Sequence, residues 1–368
     1  MTKRSVRQHF FVAPALTKEK ARLSSPAAKS AVNRLYCAGW GLVVAVHAVG
    51  IAGCSSDDSD PSAGGGAGGV SSSTGGAGGS AAGALSYRAC EAAERFGGFE
   101  VSLSNGAVQG QVLDGVIPSY VPQELGAQSG CRLLQGKNLF CDPACGSSET
   151  CGEGGACEPT PLGQNVGDVV VSGARTASGA NEIPLEPTTS NFYTTRATLA
   201  EPPFALGAEV KVSASGSAFV PAFTLRGEGI AALDVPDDAI SVEAGTPLAL
   251  RWNTPEVETS AHVEIKVQFN LHGSTTAAYI ACDVADSGSF SVPAALIDEL
   301  LGRELSGFPT VVLTRRTADS LAVGDGCLDF AVSSRVSRAL EVPGVVSCND
   351  DGDCEPGQVC ARPQLVCE

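Results

Sequence analysis

The chain has 368 residues, with 24 Lys and Arg against 40 Asp and Glu, a formal net charge of −16. Eight of those cations and a single Glu lie in residues 1–53, which contribute +7; from Cys54 onward the balance is near −23, and the only lysines are Lys137, Lys211 and Lys266. Such a surface repels nucleic acid and anionic lipid headgroups, no basic stripe compensates, and nucleic-acid binding is excluded.

The first element in chain order is an apolar run, residues 38–53 (AGWGLVVAVHAVGIAG), 16 residues long with His47 as its one polar interruption. That suits the hydrophobic stretch of an export signal and is short for a spanning helix, which needs about 20 apolar residues. The run ends in Ile51-Ala52-Gly53-Cys54: a branched apolar residue, two small ones and a cysteine. These four residues resemble a lipobox, the signature of bacterial lipoprotein precursors. The resemblance implies cleavage before Cys54 and acylation of that cysteine, which buries enough CH₂ groups for stable anchoring. Ser55, standing where an Asp would favour inner-membrane retention, points to the outer membrane. The competing reading is an uncleaved anchor helix with Cys54 a chance cysteine. Residues 1–53 are thus an export signal, but the 37 residues before the apolar run are too many for its basic leader. A start at Val32 leaves a compact signal with Arg34 as its charge, so residues 1–31 are expected to lie upstream of the true start.

Fourteen cysteines divide cleanly. Cys37 lies in the export segment and Cys54 takes the lipid. The other twelve are Cys90, Cys131, Cys141, Cys145, Cys151, Cys157, Cys282, Cys327, Cys348, Cys354, Cys360 and Cys367. An even set in an exported chain reads as disulfides. Two structural zinc sites compete with this reading, but C-x₂-C knuckles and clustered histidines are missing.

Residues 54–83 comprise the lipidated cysteine and a Gly/Ser/Ala tether spanning about 30 Å r.m.s.. Its Asp57, Asp58 and Asp60 read as a solvated charge run. Residues 84–160 form a cysteine-rich module that opens with alternating Phe99, Val101 and Leu103. A second strand, 108–112, follows the hairpin turn Ser104-Asn105-Gly106. Beyond it the cysteines are too dense, and the apolar residues too few, for a conventional core, so cross-links must replace burial. The same device recurs at 346–368: Cys145-x5-Cys151-x2-Gly154-x2-Cys157 matches Cys348-x5-Cys354-x2-Gly357-x2-Cys360, with Cys367 closing the chain. The pattern resembles EGF-like and Dickkopf-type cysteine clusters of secreted proteins. Four cysteines allow three pairings, and spacing does not choose among them.

Between these modules, short strands are predicted at 169–171, 208–213, 222–225, 248–252, 278–284 and 327–332, separated by Gly, Pro, Asp or Ser. The clearest strand is 261–272. Val263, Ile265, Val267, Phe269 and Leu271 point to a core, while His262, Glu264, Lys266, Gln268, Asn270 and His272 point to water. One helix is expected at 294–301, started by Pro293 and stopped by Gly302. The turn-rich 234–238 divides the region into a first β-sandwich at 161–236 and a second at 237–345. In the second, Cys282 and Cys327 are expected to pair, stabilising by roughly 3–4 kcal/mol. Trp252 on a strand before that pair resembles immunoglobulin-like cores. The order Trp-Cys-Cys departs from Cys-Trp-Cys, so only sandwich architecture is implied.

Four stretches, 219–223, 248–252, 282–294 and 315–319, look like recurring features of lipoproteins from large-genome Gram-negative soil bacteria. That resemblance covers most of residues 84–368 and implies architecture and location but no activity.

Catalytic motifs are thin. His262 and His272 fall ten residues apart on one polar strand face, and the reading favoured is two solvent-facing histidines rather than an acid/base or metal site that includes Glu264. No Gly-x-Ser-x-Gly elbow is present; Ala214-Ser215-Gly216-Ser217-Ala218 lacks its first glycine. Asn349-Asp350-Asp351-Gly352-Asp353 is the best calcium candidate, but it lacks EF-hand spacing, and Asp-Gly is an ordinary turn. Arg315-Arg316 reads either as a grip on an acidic sugar or peptide end, or as an exposed strand edge guarded by charge.

The sequence therefore predicts an all-β protein: two immunoglobulin-like β-sandwich domains flanked by small disulfide-rich modules, with no cofactor, metal or catalytic residue. Its expected role is a non-enzymatic binding or structural protein held at the cell envelope by lipid on Cys54, with an envelope protein or glycan as partner. The alternative is an exported hydrolase acting on envelope or extracellular polymer.

Overall fold

The computed structural model describes residues 85–236, 239–269, 276–303 and 305–368. The export segment, Cys54, the tether and His272 lie outside the described residues. In chain order the strands are β1 (Arg95–Ser102), β2 (Val108–Val112), β3 (Gln123–Gln128), β4 (Cys131–Gln135), β5 (Glu149–Cys151), β6 (Cys157–Pro159), β7 (Val169–Ser172), β8 (Glu182–Pro187), β9 (Phe192–Thr194) and β10 (Glu209–Ala214). They continue as β11 (Phe223–Glu228), β12 (Ala239–Ser241), β13 (Leu248–Arg251), β14 (His262–Gln268), β15 (Ala278–Ala285), β16 (Ser289–Val292), β17 (Thr310–Val323), β18 (Gly326–Glu341), β19 (Cys360–Ala361) and β20 (Val366–Cys367). Helix α1 covers Ala294–Leu301, with Pro293 at its N-cap and Gly302 at its C-cap.

The two expected immunoglobulin-like sandwiches are replaced by one large mixed sheet. Its order is β11-β10-β7-β8-β9-β2-β1-β18-β17-β14-β15-β4-β3, with β12 also paired to β18. Most neighbours are antiparallel, but β1 and β12 both run parallel to β18. Strands of the N-terminal cysteine-rich segment enter this sheet at two places: β1 and β2 lie beside β18, while β3 and β4 extend it beyond β15.

The reason for one sheet is the hairpin β17–β18, whose strands of 14 and 16 residues pair without interruption from Thr310↔Ala339 to Val323↔Gly326. At about 3.3 Å per residue these strands are too long for one core to cover. Their inner face accordingly serves two. Leu328, Phe330, Val332 and Val323 join Phe99, Val101, Val171, Val212 and Leu225 in a first core. Val311, Leu313 and Leu340 join Val263, Ile265, Val267 and Ile280 in a second. The first core closes because β11 folds over β17 and β18. A methyl group at Gly227 would stand 2.9 Å from Val332 Cγ2 and 3.1 Å from Thr317 Oγ1, so only glycine permits this approach. The second core is roofed by the β13–β16 ribbon and by α1, which buries Leu296, Ile297 and Leu300.

All twelve cysteines from Cys90 onward are paired. The expected Cys282–Cys327 bridge does not form. Cys282 pairs with Cys131, its direct cross-strand neighbour on β4, and Cys327 pairs with Cys90. The physical reason is the strand order: β14 and β17 separate β15 from β18. The two small knots share a bridge of the same span, Cys145–Cys157 and Cys348–Cys360, each 12 residues apart. Their remaining bridges run in opposite directions from the repeat, Cys151 back to Cys141 and Cys354 forward to Cys367.

Peptide mapping by mass spectrometry without reduction should recover Cys90–Cys327 and Cys131–Cys282 linked peptides and no Cys282–Cys327 peptide. Removing Cys131–Cys282, which closes a span of 151 residues, should cost about 5 kcal/mol of unfolding free energy by the chain-entropy argument. Chemical denaturation of the double Cys→Ala variant measures that loss.

Candidate functional site

The inner face of β17 is apolar at both ends and polar in the middle, where Arg315, Thr317 and Asp319 lie between the two cores. Each is satisfied. The Arg315 side chain is fully buried; its Nε donates to Asp286 Oδ2 at 2.6 Å and a terminal nitrogen donates to Asp286 Oδ1 at 3.1 Å. The same guanidinium also donates to the carbonyls of Ala231, Ala232 and Asn253, and Trp252 Nε1 donates to Asp286 Oδ1 at 2.8 Å. Thr317 and Asp319 accept the backbone amides of Glu228 and Arg226 on the edge strand β11, at 3.1 Å and 3.0 Å. Arg315-Arg316 is therefore no guarded strand edge: both side chains are buried, on a strand with neighbours on each side.

Arg316 points to the opposite face and organises a second cluster. The register sets His262 of β14 against Arg316, and Glu264 against Asp283 of β15. Arg316 contacts Glu264 in an ion pair, and its Nε donates to the Tyr87 hydroxyl at 2.7 Å. That hydroxyl donates to Asp283 Oδ2 at 3.0 Å, while His262 Nδ1 donates to Asp283 Oδ1 at 2.6 Å. The Tyr87 ring stacks on His262, centroids 4.0 Å apart and planes 6° from parallel.

Tyr87 arrives on a strap that precedes β1. Arg88 N donates to Ala318 O at 2.9 Å, the Arg88 guanidinium meets Asp319, and Cys90 is bridged to Cys327. The strap thus covers a cluster drawn from three adjacent strands. Burial pushes the Glu264 carboxyl up to about 7; Arg316 pulls it down, and Asp283 opposite pushes it up. Burial likewise raises the Tyr87 hydroxyl above its ordinary value.

His262 is not the free solvent-facing histidine that alternation suggests: His262 and Glu264 meet Asp283, Arg316 and Tyr87 in one contact network. The polar face of β14 is likewise only half open to water. Asp283 and Arg316 are visible only once the register of β15 and β17 is known, and no pattern in the sequence marks Tyr87. Ser215 serves a turn, its Oγ accepting the Asp168 amide at 2.8 Å.

In the C-terminal knot the calcium candidate resolves into caps. Asp350 accepts Gly352 N at 2.8 Å, Asp353 accepts Asn349 N at 2.8 Å, and Asp351 accepts Cys360 N at 2.9 Å. Amides of Asn349 and Asp350 hold the Asp353 carboxyl below its ordinary value. Among the described residues, the only groups spaced to hold a metal are Cys141, Cys145 and Cys157, and Cys348, Cys354 and Cys367. Their sulfurs are all in disulfides, so no thiolate remains for zinc.

No family model, no curated protein and no solved structure matches this chain.

Asp286→Ala should cost about 3–5 kcal/mol, since it strands a buried guanidinium; the midpoint of urea unfolding reads this. For Glu264 the folded value lies above the ordinary value of 4.5, so its stabilising contribution is complete below about pH 4.5 and fades as the pH rises through about 7. Between pH 5 and pH 8 the wild type should lose more thermal stability than Glu264→Gln, by melting temperature at matched ionic strength.

Proposed function

We propose that this chain is an exported envelope protein, anchored by lipid on Cys54, that works as a binding or structural module without catalysis. The observation that carries this reading is the pairing of twelve cysteines into six disulfides in the chain that follows Ile51-Ala52-Gly53-Cys54. Disulfides in this number belong to an oxidising, extracytoplasmic compartment. Among the described residues no helix is long and apolar enough to cross a membrane, and an acylated cysteine supplies attachment without one. The non-catalytic part of the reading is supported by how the charged cluster is used. The Tyr87 hydroxyl bridges Arg316 and Asp283, His262 takes the other Asp283 oxygen, and the strap that carries Tyr87 covers the cluster.

An exported hydrolase is the second reading. It is favoured by the His262–Asp283 contact beside a carboxyl held near neutrality, an arrangement suited to general acid–base work. It needs a nucleophile or an activated water, and none of the bonded side chains (Tyr87, His262, Glu264, Asp283 and Arg316) is a serine, threonine or thiol, although Thr314 lies in register with Glu264.

Expression of the full chain in a Gram-negative host tests the anchor. The expected result is partition into the detergent phase of Triton X-114, accumulation of the unprocessed form with a lipoprotein signal peptidase inhibitor, and loss of both behaviours in Cys54→Ser. Recovery from cytosol with alkylatable thiols overturns it. Equal hydrolysis of peptidoglycan or polysaccharide by wild type and His262→Ala supports the non-catalytic reading; activity lost in that variant supports the hydrolase.

A further inference from the structure

Three lysines follow Cys54, and two of them sit in ion pairs, Lys137 with Glu153 and Lys211 with Glu209. The third, Lys266, has no carboxylate within ion-pair distance among the described residues, although acidic residues outnumber basic ones by 40 to 24. Lys266 is half-buried near the middle of β14, an inner strand, and its ammonium rests over the Tyr279 ring, 4.2 Å from the centroid. A ring face holds a cation by its quadrupole and leaves the outward side of the ammonium free.

Glu264, two residues along the same face, is taken up by Arg316, and the cation whose field acts on Lys266 is Arg335. Arg335 on β18 is exposed and pairs in register with Thr314 of β17, which pairs with Glu264; Lys266 pairs with Val312, the next residue on the same face. Lys266 and Arg335 therefore stand two strands apart and two residues offset on one face, roughly 12 Å between Cα atoms at about 4.8 Å per strand and 3.3 Å per residue, a gap that two long side chains span. The other titratable groups of that face are committed. Glu264 contacts Arg316, Asp283 holds His262 and Tyr87, Arg132 on β4 pairs with Glu124, Asp329 on β18 pairs with Arg95, and Glu100 on β1 accepts from Ser333.

We propose that Lys266 and Arg335 form a binding site for a small ligand bearing one isolated oxyanion: a carboxylate, sulfate or phosphate. An oxyanion placed between ammonium and guanidinium cancels their mutual repulsion and completes both hydrogen-bonding shells, with the guanidinium fork suited to bidentate contact. The ligand carries its charge singly, because a surrounding net charge near −23 repels polyanions more steeply than monoanions. Without ligand, burial and the Arg335 charge hold the Lys266 ammonium down at about 8. The site therefore takes up a proton when the anion binds in mildly alkaline solution.

The test uses the full chain with its lysines ¹³C-dimethylated, and the Lys266 methyl signal identified by its loss in Lys266→Arg. Its titration midpoint is followed by NMR with sodium glucuronate, sulfate or phosphate, each against sodium chloride at equal ionic strength. The expected result is an upward shift of about one unit with at least one oxyanion and none with chloride, corresponding to about tenfold coupling between proton and anion. In Arg335→Gln the apparent affinity for that oxyanion should fall about tenfold. Which of the three probes acts identifies the oxyanion. A midpoint that responds no more to any oxyanion than to chloride overturns the proposal, as does a shift of full size and affinity in Arg335→Gln. Should Arg335→Gln fail to fold, the comparison of oxyanion with chloride on the wild type decides by itself.

Discussion

The β17–β18 hairpin is the constraint on which the remaining structure depends. Two strands this long, paired along their whole length, present an inner face that no single layer covers. The chain answers by dividing the face. Its two apolar ends receive separate cores, and the stretch between them carries Arg315, Thr317 and Asp319. A buried guanidinium is tolerable only when nearly every N–H finds an acceptor, and Asp286 with three backbone carbonyls supplies them. These acceptors come from the segment 231–253 and from the end of β15, so the ion pair ties the chain's crossing between cores to the hairpin. Thr317 and Asp319 perform a related task for β11, whose outer amides would otherwise form a bare edge.

Much of the secondary structure is legible in the sequence. The period-two alternation of β14 places Val263, Ile265 and Val267 in the core, and Pro293 with Gly302 brackets α1. What alternation and punctuation do not carry is pairing order. β17 escapes detection because Arg315, Arg316 and Asp319 break its apolar rhythm, and those residues are there for tertiary reasons that no local window contains. Near the boundary expected at residue 236 the chain passes from one core to the other, since Ile230 belongs to the first and Leu233 to the second. It is a crossing between cores rather than a division between sandwiches, because β17 and β18 later return to both. Cysteine spacing failed for the same reason. Cys90 and Cys131 belong to a segment that reads as a self-contained module, yet their partners lie 237 and 151 residues away, on strands that the sheet brings beside them.

The candidate site shows the same limit. His262 and Glu264 share a face by simple alternation, and that much is in the sequence. Whether this face is open water or a charged junction depends on Asp283 and Arg316 arriving from neighbouring strands, and on Tyr87 folding back over them. Glu264 faces Asp283 directly, an unfavourable juxtaposition of like charges that Arg316 and the strap offset. Lys266, two residues along the same strand, lacks such compensation, so one face of β14 holds both a closed ionic network and an open cation.

The bridge from Cys90 to Cys327 has a mechanical consequence. Any pull applied at the amino-terminal side of the folded part meets this covalent link five residues before β1 begins. Tension passes directly to the start of β18, in the middle of the sheet, and β1 is never unzipped from its neighbours. Among the described residues the Tyr87 stack and hydrogen bonds and the Arg88 contacts lie upstream of the link, so under load they yield first.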